Sequence, residues 1–378
     1  MSNQKTLFIF NHPHFRSQSV ISTYRYLRDN PTNKMRTFVF TDYPMIPADL
    51  KSTYDEMSVP LAMKLAGLKE PPDAVLGGAR QMGAIVNSRD YIKEHDIKSI
   101  YTIQDSEYQF GTVRPENELS ALNNTQVDWT ALLVQNPKEC TPFTERILWA
   151  TEDMPMLKNK PLEYIPFGVD TDRFCPPTPW TDKNIDVMAV YTMSDSNVFQ
   201  VPRKFIAQKV AELSVDQYLH PQTGKKMSGV MVLNKVEPEK SMFKQGEKYY
   251  DFRVGVLPLP DKYADLMNHT WISFADTSSR DYTTAKYYEL GASGAMIIGE
   301  KPVGSDYLFE DGKTFIELDM DDLERDVEVK IMEWVRQRKE RQDEIIKIAG
   351  EMRKRVVKYH ANEIIAPKYE EMVLRLTK

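Results

Sequence analysis

The chain has 378 residues, 41% of them hydrophobic and 28% charged, which is long enough for about two domains and too apolar for a disordered protein. No apolar run is long enough to span a bilayer, and a net charge of −6 argues against holding nucleic acid by bulk charge, although a local basic groove is compatible with it. The two cysteines, Cys140 and Cys175, form no ligand cluster and read as buried or incidental thiols.

The chain opens with "TLFIF" (Thr6 to Phe10), a β run, followed by "SVISTYRYLRD" (Ser19 to Asp29), whose apolar positions fall at helical spacing. The start has no basic leader or small-residue cleavage site, so it reads as a strand rather than a signal peptide, with the cytoplasm as the expected location. "MRTFVFTDY" repeats the strand signal. A helical stretch through Leu50 to Leu68 precedes the break "KEPPDA", a second runs through Ala79 to His95, and "SIYTIQDSEY" and "ALLVQNP" are further strands. Strands alternating with helices predict parallel β-α units with helices on both faces of a sheet. The expectation for residues 1–165 is a Rossmann-like domain.

Between Lys158 and Lys183 five prolines interrupt the pattern, and residues 166–183 are expected to link two domains. Beyond them "IDVMAVYTM", "MSGVMVLNKV", "FRVGVL", "WISFA", "AMIIGE" and "TFIEL" read as strands, with "PRKFIAQKVAEL" as a helix. A second Rossmann-like domain is expected over 184–360. From Asp321 onward, Glu, Lys and Arg alternate with spaced apolar residues, as in amphipathic helices, and the basic runs "RQRKERQ" and "RKRVVK" read as solvated helix faces.

The segment "DYTTAKYYELGASG" (Asp281 to Gly294) lies between two buried runs and contains more polar groups than burial calls for. In an open parallel sheet, ligands bind at the carboxyl ends of strands, where helix N-termini present unpaired N–H groups to anions. A helix starting near Thr283 and Thr284 would offer amides and two hydroxyls to a phosphate. Lys286 and Glu289 stand one helical turn apart, so both can face one cleft, and a carboxylate there can accept both hydroxyls of a ribose. The alternative is an ion pair between them on a solvated face.

The stretch "DYTTAKYYELGASGAMIIGEKPVGSDYLFEDG" resembles the donor-site segment of the retaining GT-B glycosyltransferases of the group 1, or family 4-like, type. "YIPFGVDTDRFCP" (Tyr164 to Pro176) is similar to the segment that opens their second domain. The resemblance implies the GT-B fold: an α/β architecture of two Rossmann-like domains facing across a cleft, with a C-terminal helix over 361–378 crossing back to the first domain. It implies a nucleotide-sugar donor, UDP-linked, with Glu289 on the ribose, the Thr283 and Thr284 helix start at the diphosphate, Lys286 in the same donor cleft, and Asp281 facing the transferred sugar. Asp281 stands where the family usually has Glu, and Phe167 replaces its Asn before Gly168. Arg203 and Lys204 are placed on the diphosphate by the same resemblance, an exposed basic pair being the alternative.

No metal is implied, because basic side chains and helix amides neutralise the leaving diphosphate. The triplets "DTD" and "DMD" accordingly read as a turn after the linker and a helix cap. Asp105, at the end of the "YTIQDSEY" strand, is the candidate to orient or partly deprotonate the acceptor hydroxyl, with a loop cap as the alternative. His12, His14 and Gly168 are candidates for the acceptor or sugar side, although a lone His is more often a satisfied polar group. "YTTAKYYELGASGAMII" and "QDSE" are also similar to the DNA α-glucosyltransferases of T-even phages. That likeness implies the hydroxymethyl group of a modified pyrimidine in DNA as acceptor, reached by opening or flipping the base, in a host cytoplasm. A glycan, lipid-linked sugar or small metabolite is the broader alternative. A nucleotide-sugar epimerase or a non-catalytic nucleotide-sugar-binding protein is the alternative of another class.

Overall fold

The computed structural model describes residues 4–10, 18–40, 57–78, 82–103, 125, 127–135, 151–152, 155–191, 205–206, 209–210, 230–234, 259–277 and 283–378. The chain folds into two compact units, one of Met1–Gly168 with Asn362–Lys378 and the other of Val169–Ala361.

In the first unit, six strands form a wholly parallel sheet in the order β2-β1-β3-β4-β5-β6. They are β1 (Lys5–Phe10), β2 (Met35–Phe40), β3 (Ala74–Gly78), β4 (Lys98–Ile103), β5 (Ala131–Val134) and β6 (Leu162–Tyr164). Leu7, Phe8 and Ile9 are completely buried, as a central strand covered on both faces requires, whereas the edge strand β2 alternates buried and half-buried residues. Its described helices include α1 (Gln18–Asp29), α2 (Val59–Leu65), α3 (Met82–Val86) and α4 (Arg89–Glu94). The single helix expected through Ala79 to His95 is thus two. Ser88 stands at the break: its hydroxyl donates to the Ala84 carbonyl (2.8 Å) and accepts from the Val59 amide (2.6 Å), tying the break to α2.

The last helix, α9 (Asn362–Leu376), belongs to this unit and packs on α1. Tyr369 meets Tyr24 edge to face at 5.9 Å, and Thr23 donates to Asn362 Oδ1 at 2.8 Å. Each of these buried tyrosines contributes roughly 1.5 to 3 kcal/mol through its apolar area.

The second unit holds a parallel sheet of β7 (Ile185–Tyr191), β8 (Val230–Asn234), β9 (Thr270–Ala275), β10 (Met296–Gly299) and β11 (Ile316–Glu317), in the order β11-β10-β9-β7-β8. Around it lie α5 (Leu259–Asn268), α6 (Ala285–Ala292), α7 (Leu323–Lys330) and α8 (Gln342–His360), with a π-helical turn at Ile331–Val335. Ile345, Ile348 and Ala349 of α8 share a core with Val187, Ile272, Phe274 and Ile298 of the sheet. Both sheets run outward from the first strand in each direction, the doubly wound order with a switch point between the first and third strands. In the second unit that point lies between β7 and β9.

The segment after Gly168 is packed: Val169 and Phe174 are completely buried. Asp170 Oδ1 accepts from the amides of Asp172 and Arg173, and Asp319 Oδ1 accepts from those of Asp321 and Asp322 just before α7. Both Asp-X-Asp triplets therefore hold turns, the second at a helix start.

Lys183, 5% exposed, lies at the opposite end of this sheet from the switch-point crevice, since it precedes β7 by two residues. Its ammonium donates to the carbonyls of Asn268 (2.8 Å), Thr270 (2.8 Å) and Ser293 (3.0 Å), joining the ends of α5 and α6 to the start of β9. Burial, followed by the Arg353 charge, draws its pKa down to about 7.

Candidate functional site

The site is built from the carboxyl ends of β9 and β10 and from α6, which follows β9 beside the switch point. β9 ends at Ala275 and β10 at Gly299, and they run so close there that a Cβ on Gly299 would stand 2.3 Å from the Ala275 carbonyl oxygen. Glu300 ties the two strand ends together. Its Oε2 accepts from the Thr277 amide at 3.0 Å, and its backbone carbonyl accepts from the Tyr287 hydroxyl at 2.6 Å.

Thr284 is the N-cap of α6, with extended backbone (φ −74°, ψ 155°) and no side-chain bond to the helix. The first amides of a helix have no partner within it, so this end presents N–H groups at the carboxyl edge of the sheet. Thr283, just before it, is completely buried, and its hydroxyl shares a 2.6 Å hydrogen bond with that of Ser305. Thr283 thereby anchors the helix start to the loop after β10.

Along α6, Tyr287 through Ala292 are all buried. Glu289 is 3% exposed, which rules out a solvated helix face for it, and Lys286 is half-buried. The Glu289 Oε2 accepts from the hydroxyl of Tyr263, on α5, at 2.9 Å. Burial and the neighbouring carboxylate together raise the Tyr263 pKa well above that of a free phenol, so the hydroxyl remains a donor. The ring of Tyr263 lies edge-on to Phe174 at 6.3 Å, and Phe174 belongs to the "YIPFGVDTDRFCP" segment. The two motifs singled out in the sequence are thus joined through one tyrosine.

The glycines of "GASG" answer two separate demands. A Cβ on Gly291 would stand 2.8 Å from Val356 Cγ2 and 3.2 Å from Met352 Cγ, so this glycine lets α6 and α8 pack closely. Gly294 is left-handed (φ +64°), and the amides of Gly294 and Ala295 bond back to the carbonyls of Gly291 and Leu290 in a Schellman turn.

Gly168 is placed elsewhere, against α1 and α9 of the first unit. A Cβ there would meet Thr23 Oγ1 at 2.5 Å and Asn362 Oδ1 at 2.7 Å, so its glycine is required by packing. Asp105, Asp281, Arg203, Lys204, His12 and His14 lie outside the described residues. Sequence reasoning passed over Tyr263, Glu300 and Ser305. A tyrosine on an amphipathic helix 26 residues before its partner reads as core, and only the polar "GE" ending of β10 signals Glu300.

Beside β10 and β11 a recess of 520 Å³ is lined by six carboxylates, among them Glu300, Asp311 and Asp319, and by Lys301 and Lys330. Its sign opposes a diphosphate. Among the described residues no group of His, Cys, Asp and Glu is arranged to hold a metal ion, and no helix is long and apolar enough to cross a membrane.

Residues 246–370 match the family described as glycosyl transferase-like. No curated protein matches the chain. Among solved structures it is similar to HepE from Anabaena in complex with UDP and glucose, with 12% identity, a TM-score of 0.60, and coverage of 98% of this chain and 100% of that one. It is also similar to sucrose-phosphate synthase from Thermosynechococcus elongatus (10% identity, TM-score 0.57, 99% of each chain). A third is a glycosyltransferase from Rickettsia africae ESF-5, with 10% identity, a TM-score of 0.55, and coverage of 100% and 99%. The fold is GT-B, two Rossmann-like domains with parallel sheets. The part that carries α6 and Glu289 falls within the matched family region.

Proposed function

We propose that this protein is a glycosyltransferase that moves a sugar from a UDP-linked donor to an acceptor hydroxyl with retention of anomeric configuration. The observation that carries the reading is the placement of α6: its N-terminus opens at the carboxyl end of β9 beside the switch point, and it holds the Glu289 carboxylate on Tyr263. In this reading the helix amides and Thr284 take the diphosphate, with Lys286, Arg203 and Lys204 adding positive charge, and Glu289 takes the ribose diol. Asp281 faces the sugar. The acceptor oxygen bonds to the anomeric carbon on the face from which the diphosphate leaves, the carbon–oxygen bond to the diphosphate breaks, and the acceptor proton passes to a diphosphate oxygen. Asp105 orients the acceptor hydroxyl.

The reading gives no part to a metal. Charge leaving with the diphosphate is met by amides and basic side chains. Activity is expected to survive exhaustive chelation; complete loss that magnesium or manganese restores would overturn this part.

For the acceptor, the reading takes the hydroxymethyl group of a modified pyrimidine in DNA, on the likeness carried by "YTTAKYYELGASGAMII" and "QDSE". An acidic protein must concentrate its basic residues locally to hold DNA, and such contacts release counterions. Binding to hydroxymethylated DNA is therefore expected to weaken steeply with salt. The deciding experiment offers a panel of sugar nucleotides with hydroxymethylated DNA, the free nucleoside, glycans or small alcohols, and reads released nucleoside diphosphate and mass added to the acceptor. Equal transfer to the free nucleoside and to DNA would reject the DNA acceptor. Nucleotide release with no acceptor, or a changed sugar nucleotide, would reject transfer itself.

A further inference from the structure

We infer that Tyr263 is a positioning residue for the donor ribose: it holds the Glu289 carboxylate in the orientation that receives the ribose diol. This rests on the reading of Glu289 as the ribose acceptor. A carboxylate on a helix side chain has three rotatable bonds, and recognition of two adjacent hydroxyls needs it fixed in one plane before the nucleotide arrives. Tyr263 supplies the fixing bond at 2.9 Å, donated to Oε2 from a hydroxyl that does not ionise in the working range. A phenol is suited to this because it donates one hydrogen bond without adding a charge. A Lys or Arg there would pair with the carboxylate and compete for its acceptor sites.

The hydroxyl is held in turn. Tyr263 is 8% exposed on α5, its ring is set edge-on to the fully buried Phe174, and α5 packs against α6. The chain after Gly168 therefore reaches the carboxylate in two steps, Phe174 to Tyr263 and Tyr263 to Glu289. This gives the "DRF" segment a task beyond joining domains. The carboxylate also gains, since a buried anion without a donor is costly and this one receives a charge-assisted bond.

The test measures UDP affinity by calorimetry for wild type, Tyr263→Phe, Glu289→Gln and the double variant, against both UDP and 2′,3′-dideoxy-UDP, with a melting curve for each protein. The expected result has Tyr263→Phe binding UDP on the order of 3- to 10-fold more weakly. It should bind the dideoxy compound as wild type does, and add no further loss in the Glu289→Gln background. A purely structural tyrosine would weaken both nucleotides equally and additively, and that result overturns the proposal. So does an unchanged UDP affinity in Tyr263→Phe while Glu289→Gln is weakened. If Glu289→Gln itself leaves UDP affinity unchanged, the ribose reading fails and the proposal with it. Should Tyr263→Phe not fold, Phe174→Leu loosens the ring while keeping the hydroxyl, and is expected to lose preference for the diol over the dideoxy compound; a retained preference overturns the proposal.

Discussion

Glu289→Gln is expected to weaken UDP-sugar binding by roughly 10- to 150-fold while leaving the melting temperature within a few degrees of wild type. The range follows from hydrogen bonds to a charged acceptor, which contribute about 1.5 to 3 kcal/mol. The amide keeps the shape of the side chain and one acceptor oxygen, so Tyr263 still has a partner and α6 keeps its packing against α8. What the amide loses is the charge and half of the acceptor capacity that a diol uses. Were Glu289 merely a buried group satisfied by Tyr263, the same change would leave nucleotide affinity unaltered. Calorimetric titration separates these outcomes, and the melting curve checks that the variant is folded.

Much of the fold was legible because period and burial coincide. "TLFIF" and "WISFA" are strands buried on both faces, and "SVISTYRYLRD" is an amphipathic helix whose inner side carries Tyr24. β3 was hidden for a physical reason: "AVLGG" directly follows a proline-rich break and ends in two glycines, and only its place in the sheet beside β1 makes it a strand. The stretch "DYTTAKYYELGASG" showed its helix, its N-terminal hydroxyls and the glycine turn that ends it. The environment of Glu289 was not readable, since spacing suits a surface pair with Lys286 as well as a buried carboxylate. The choice is made by Tyr263, on another helix, and no local pattern encodes a contact across 26 residues. Thr283 shows the same limit: its hydrogen bond to Ser305, 22 residues on and beyond β10, is encoded by no local pattern.

Lys183→Met is expected to destabilise the second unit by about 3 to 5 kcal/mol, because three carbonyls lose their donor at once. Methionine fills nearly the same volume, and burying a cation is itself expensive, so an apolar replacement removes a desolvation cost and the repulsion from Arg353. The carbonyls decide the sign. Asn268 ends α5 and Ser293 caps α6, and with Thr270 at the start of β9 they converge on one ammonium in a site too buried for water to replace it. Each buried carbonyl left without a donor costs about 1 to 3 kcal/mol, and three of them outweigh the relief. In a unit of this size the loss corresponds to a melting temperature lower by roughly 6 to 20 °C. The pH dependence has a definite sign. A lysine near 7 when folded and about 10.4 when unfolded leaves the native state binding fewer protons between those values. Its contribution is therefore largest above the unfolded value and falls away as pH drops through about 7. The stability difference between wild type and Lys183→Met should widen with pH above about 7, by no more than about 1.4 kcal/mol per unit. Denaturant titrations of both proteins at pH 6.5, 7.5 and 8.5 read it directly, chosen values at about one-unit steps across the start of that window. A constant difference would show that the three carbonyls hold the proton throughout, and a difference near zero would remove Lys183 from the architecture of the unit.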